Sequence, residues 1–118
     1  DSGMFRAMQL AAATALEAEA DWYEGNNENY RNRRHFAGEI MKTLGCTYDE
    51  KQVGMFLWGK IPASCKDVEE LTEKVLHEAR VFITPGFIFG SNGARYIRIS
   101  LCCKDNKLAE ALERIKRI

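Results

Sequence analysis

No apolar run in this chain is long enough to span a bilayer, and its start shows no signal-peptide pattern, so a membrane-embedded or exported protein is not expected. Net charge is missing too, because 17 basic and 17 acidic residues cancel. Without a basic surplus, neither a nucleic acid nor a membrane surface is indicated as a partner. Internal repeats and low-complexity tracts are absent, which excludes a solenoid or a tail. The four cysteines form no C-x-x-C pair. Cys46 and Cys65 are isolated, and adjacent Cys102 and Cys103 are expected on opposite faces of a strand. They read as reduced thiols of a cytoplasmic protein rather than as a disulfide framework. His77 has no second histidine or cysteine at ligand spacing, so no metal is expected.

What the chain does have is enough apolar content for one core. At 118 residues and 46% hydrophobic, a single domain over residues 1–118 is the expectation. A helix is expected near residues 3 to 20, with Met4, Met8, Ala11, Ala12 and Leu16 on one stripe that should pack closely. The polar stretch Glu24-Gly25-Asn26-Asn27 should separate it from a second helix carrying Tyr30, Ala37, Ile40, Met41 and Leu44, which Gly45 ends in a left-handed cap. Val53 to Ile61 reads as a strand stopped by Pro62, with Trp58 in the core and Gly54 and Gly59 marking bends or close approaches. Ser64 or Asp67 can cap the next helix, with Val68, Leu71, Val75, Leu76 and Ala79 as its apolar stripe. Val81 to Ile83 reads as a short strand, and a last helix follows the Asp105 cap. The cluster Arg31 to His35 is explained as a solvated helix face opposite Glu17, Glu19, Asp21 and Glu24.

One residue breaks this regular pattern. In Tyr96-Ile97-Arg98-Ile99-Ser100-Leu101-Cys102, Ile97, Ile99 and Leu101 share one strand face, while Arg98 lies on the other with Tyr96, Ser100 and Cys102. A guanidinium on a rigid strand offers a planar fork of donors suited to a carboxylate or a phosphate. The alternative is that Arg98 sits at a strand end and pairs with a surface carboxylate. Gly90 to Arg95 does not read as a phosphate cradle, because it leads into a strand and not into a helix N-terminus.

The segment T-P-G-x-x-F-G-x-x-G-x-x-Y-I-R-I-S, from Thr84 to Ser100, resembles the closing signature of class I/II aminotransferases, pyridoxal-phosphate enzymes of fold type I. The likeness extends along the chain. Asp1 to Phe5 with Gln9 resembles the start of the family's last third. Trp22, Tyr30, Arg33 and Arg34 are similar to its W-x-x-x-x-x-x-x-Y-x-x-R-R pattern, and Gly54 to Pro62 to its G-x-F-x-W-x-x-I-P strand.

The resemblance implies an α+β fold: a two-layer sandwich in which a small, mainly antiparallel sheet is covered by helices. It implies that the chain is the C-terminal small domain of such an enzyme, with residues 1–22 as an inter-domain helix. Arg98 would bind the substrate α-carboxylate, and Phe56 would lie near the substrate side chain. Ser2 to Phe5 would lie near the cofactor of a dimer mate, and Phe87 to Gly93 could close over the substrate. The Schiff-base lysine and its aspartate partner have no match here, so the resemblance gives this chain no catalytic and no cofactor-binding residue of its own. The implied partners are the large domain of the same polypeptide, an amino acid and 2-oxo acid, and a second copy in a homodimer. Pyridoxal 5'-phosphate is the implied cofactor of the intact enzyme, with none expected on this portion alone. The alternatives are a fold type I lyase or decarboxylase, or a non-catalytic ligand-binding relative.

Overall fold

Alternation along two five-residue strands decides the architecture. β1 (Phe56–Lys60) and β3 (Tyr96–Ser100) pair antiparallel, with Leu57 opposite Ile99, Gly59 opposite Ile97 and Trp58 opposite Arg98. The computed structural model, which describes residues 3–118, adds the two-residue β2 (Thr84–Pro85) beyond β3, in the order β1-β3-β2. Leu57, Ile97, Ile99 and Leu101 all face inward and are buried. Helices cover that face alone, which makes the expected α+β two-layer sandwich.

The described residues form four α-helices: α1 (Arg6–Leu16), α2 (Ala20–Thr43), α3 (Val68–Lys74) and α4 (Asp105–Ile115). α2 buries only its C-terminal half, through Ala37, Gly38, Ile40 and Met41. α3 runs on as a π-helical turn, Val75–Ala79, and buries Val68, Leu71, Val75 and Ala79. α4 buries Leu108, Leu112 and Ile115, a helical stripe that closes the core. Gly59 lets α2 approach β1, since a Cβ there would lie against the Met41 sulfur.

Several boundaries differ from expectation. The break between the first helices falls at Glu17 to Glu19, and Glu24 to Asn27 lie inside α2. A glycine inside a helix costs only about 1 kcal/mol, which cooperative propagation overrides. Asp21 in the first turn favours the new start, because a carboxylate there meets the positive end of the helix dipole. The α1 stripe does not pack: no α1 residue is buried, and Met8 and Leu16 are 59% and 83% exposed.

β1 is shorter than the expected strand at both ends. The expected strand at Val81 to Ile83 is instead Thr84–Pro85. Arg80 leaves the π-turn in a left-handed conformation (φ 56°), and the Val81 N–H still reaches back to the Val75 carbonyl, so the chain pairs with β3 only from Thr84. Trp58 is half-buried on the outer face and is not core. Asp67, not Ser64, caps α3, its carboxylate accepting the Glu70 N–H at 2.8 Å. Asp105 is the first residue of α4 and not its cap. Cys102 and Cys103 lie beyond the end of β3, both exposed. Gly45 follows α2 with φ +70°, as its role as a left-handed cap requires.

Candidate anion site on the open sheet face

Among the described residues, no α-helix covers the outer face of the sheet. Phe56, Trp58 and Lys60 of β1 project there, as do Tyr96, Arg98 and Ser100 of β3, with Thr84 of β2 opposite Arg98. At its centre the Arg98 guanidinium lies over two rings, Phe56 with its centroid 4.2 Å from Cζ and Phe89 with its centroid at 4.0 Å. Both fall well inside the range of cation–π attraction. Trp58 meets Phe89 edge-on at 5.6 Å and Tyr96 at 6.4 Å, so the guanidinium sits at the margin of an aromatic cluster.

Phe89 comes from a loop, and glycine chemistry builds that loop. A Cβ on Gly86 would lie 2.5 Å from the Gly93 carbonyl oxygen and 2.7 Å from that of Tyr96, so backbone touches backbone at the loop's base. Two short 3₁₀ turns, Gly86–Phe89 and Ser91–Gly93, fill the interval. Arg95 locks the start of β3, donating to the carbonyls of Cys65, Lys66 and Pro62 at 2.9, 2.8 and 2.8 Å.

Comparison among the half-buried arginines sets Arg98 apart. Arg33 pairs with Asp105 at 3.0 Å and donates to the Leu101 carbonyl at 3.2 Å. Arg34 donates to the Gly54 carbonyl at 2.7 Å, while its Nη1 is buried without a hydrogen-bond partner. Arg95 holds its three carbonyls. Among the described residues, no carboxylate pairs with Arg98 and no side-chain hydrogen bond engages it. The alternative of pairing with a surface carboxylate is therefore not what the structure holds. A cation on a rigid strand, walled by aromatic rings and open to an incoming ligand, is equipped to take a carboxylate through two parallel hydrogen bonds.

The other candidates fall elsewhere. Phe56 is brought against Arg98, whereas the Arg31 to His35 cluster is not a solvated face opposite the acids of residues 17 to 24: Arg31 pairs with Glu28 at 2.8 Å, and half-buried Arg33 and Arg34 reach Asp105 and the Gly54 carbonyl. His77 sits 2.9 Å from Glu73, and no group of three metal-ligating side chains occurs among the described residues. The expectation on Ser2 lies outside the described residues, and Gly3 to Phe5 are exposed. Strand alternation finds Arg98 and Tyr96 but misses Phe89, because a loop residue carries no periodic signal. The available sign was the family resemblance, which put Phe87 to Gly93 over the substrate; of that segment, Phe89 lies against Arg98.

The sequence matches the family described as "Aminotransferase class I and II" over residues 3–115. The chain belongs to the class I and II aminotransferases. These are pyridoxal-phosphate enzymes of fold type I. The LL-diaminopimelate aminotransferase of Desulforudis audaxviator is 36% identical over 116 residues, covering 98% of this chain and 29% of that protein. Transaminase BacF of Bacillus subtilis is 33% identical with the same coverage, and its apo structure superposes with a TM-score of 0.77. The aromatic aminotransferase of Pyrococcus horikoshii gives a TM-score of 0.78 at 32% identity, covering 92% of this chain and 30% of that one. The chain thus spans about 30% of the length of the curated relatives it matches.

The aminotransferase cofactor needs an amine that can lose its proton beside a cavity. Every lysine among the described residues is exposed. Lys42 is pushed upward by its hydrogen bond and charge contact with Glu39, opposite to what such an amine requires. These residues do not form a seat for pyridoxal phosphate.

Proposed function

We propose that this chain is the substrate-gripping small domain of an aminotransferase that moves an amino group between an amino acid and a 2-oxo acid. One observation carries the reading: among the half-buried arginines, Arg98 alone has no hydrogen-bond or carboxylate partner among the described residues, and it stands on the uncovered face over Phe56 and Phe89. Related proteins are named for different amino acids, LL-diaminopimelate, aromatic and alanine aminotransferases among them. Their shared substrate feature is the α-carboxylate, the group that Arg98 suits.

In this reading two parallel N–H donors of Arg98 take the carboxylate oxygens and fix the orientation of Cα. Phe56 supplies an apolar wall beside the substrate. Pyridoxal phosphate, seated by the rest of the polypeptide, supplies the electron sink. The exposed apolar surface of α1 and of the start of α2 receives that large domain, so residues 1–22 serve as the inter-domain element, as two helices and not one. A homodimer and a cytoplasmic setting belong to the same proposal.

The test assays the parent protein with an amino acid and a 2-oxo acid, with and without added pyridoxal phosphate. Amino transfer that depends on the cofactor is expected. Decarboxylated or eliminated products, or no turnover with any amino acid, would overturn the reading.

A further inference from the structure

Alternation puts Arg98 on the outer face, yet a long side chain on an uncovered face stays free to sweep. With no hydrogen-bond partner among the described residues, its orientation must come from packing. Phe56 supplies one wall at 4.2 Å and Phe89 the other at 4.0 Å. Strand pairing delivers Phe56, but Phe89 is delivered by a loop whose base is cinched at Gly86 and Gly93 and whose chain turns at Gly90, φ +122°. Trp58 braces the ring edge-on, and Gln52 fixes the Trp58 backbone by bonding its N–H at 2.9 Å and its carbonyl at 2.8 Å. Phe89 is 49% exposed, and the part of its surface that is covered lies against the Trp58 ring and the Arg98 guanidinium.

We propose that Phe89 is a positioning residue that, with Phe56, sets the plane of the Arg98 guanidinium so that a carboxylate is taken at its N–H edge. This deepens the assignment of Arg98 to the α-carboxylate and rests on it. A ring attracts a cation to its face without using any N–H donor, so stacking orients the guanidinium and leaves its in-plane donors free. A carboxylate in place of Phe89 would orient the arginine equally well but would fill the site. Apolar walls also keep water from the hydrogen bonds that form at the edge, which strengthens them. Phe89 therefore contributes orientation to the grip, while Arg98 contributes charge.

The test uses the full-length aminotransferase carrying this segment, as wild type, Phe89→Leu, Phe89→Tyr and Arg98→Leu. Each reacts with an amino acid and with the amine lacking its α-carboxylate, under single-turnover conditions so that the slow amine is still read. Phe89→Leu should lower kcat/KM for the amino acid about tenfold and leave the amine within about twofold, so preference for the carboxylate collapses. Phe89→Tyr, which keeps the ring, should restore it. A loss shared equally by both substrates, or no loss, overturns the role of Phe89. If Arg98→Leu abolishes the preference while Phe89→Leu spares it, Phe89 alone is struck out. If Arg98→Leu also spares it, the carboxylate assignment itself falls.

Discussion

A buried thiol and a pair of touching glycines show how single residues hold this domain. Burial pushes the Cys46 thiol from 9.0 up to about 11, with Cys65 adding a smaller effect in the same direction. Between those two values the folded protein keeps the proton and the unfolded chain releases it. The thiol therefore contributes stability below pH 9.0 that fades as pH rises towards about 11. Iodoacetamide at pH 8 should label exposed Cys102 and Cys103 rapidly and Cys46 only on unfolding, read by peptide mass. Gly86→Ala would drive a Cβ into backbone oxygens that cannot step aside, so a loss of about 2–4 kcal/mol is expected in urea unfolding. At this scale the sequence was legible where chemistry is local or periodic: Arg98 on the outer face, Gly45 at a helix end. Phe89 was reached only through the family resemblance, as part of Phe87 to Gly93, because its position depends on how a loop folds back over a neighbouring strand.

Among the elements, α2, β3 and α4 are joined by one side chain. Arg33 on α2 donates to Asp105 at the start of α4 and to the Leu101 carbonyl just past β3. Arg33→Ala should cost about 1–2 kcal/mol, measured by thermal or urea unfolding. Asp67→Ala removes the cap of a seven-residue helix and should cost about 1 kcal/mol in the same assay. The order of helices and strands was readable from hydrophobic period and turn residues. The break between α1 and α2 was not, since the low propensity of Gly25, Asn26 and Asn27 is a weak local bias against a 24-residue helix that gains a hydrogen bond at each step. The fate of the second strand-like run was hidden for another reason. Val81 to Ile83 has strand composition, but the chain there is still leaving a helix, and pairing starts only at Thr84.

The whole molecule is longer than its size requires. Its radius of gyration is 17.5 Å, against about 13–14 Å for a compact domain of this length, because α1 and the start of α2 project from the core. Amide exchange in this chain should therefore be fast through α1 and slowest in β1, β3 and the C-terminal half of α2. In the full-length protein α1 should become protected, as the proposed docking of a large domain on it predicts. The same lopsidedness leaves one face of the sheet bare, where Arg98 is proposed to hold a substrate carboxylate. Arg98→Lys in the full-length enzyme tests it most directly, because it keeps the positive charge and removes the planar fork. The expected result is a rise in KM together with a fall in kcat, lowering kcat/KM for amino acids by about a hundredfold or more. An unchanged kcat/KM would contradict the account.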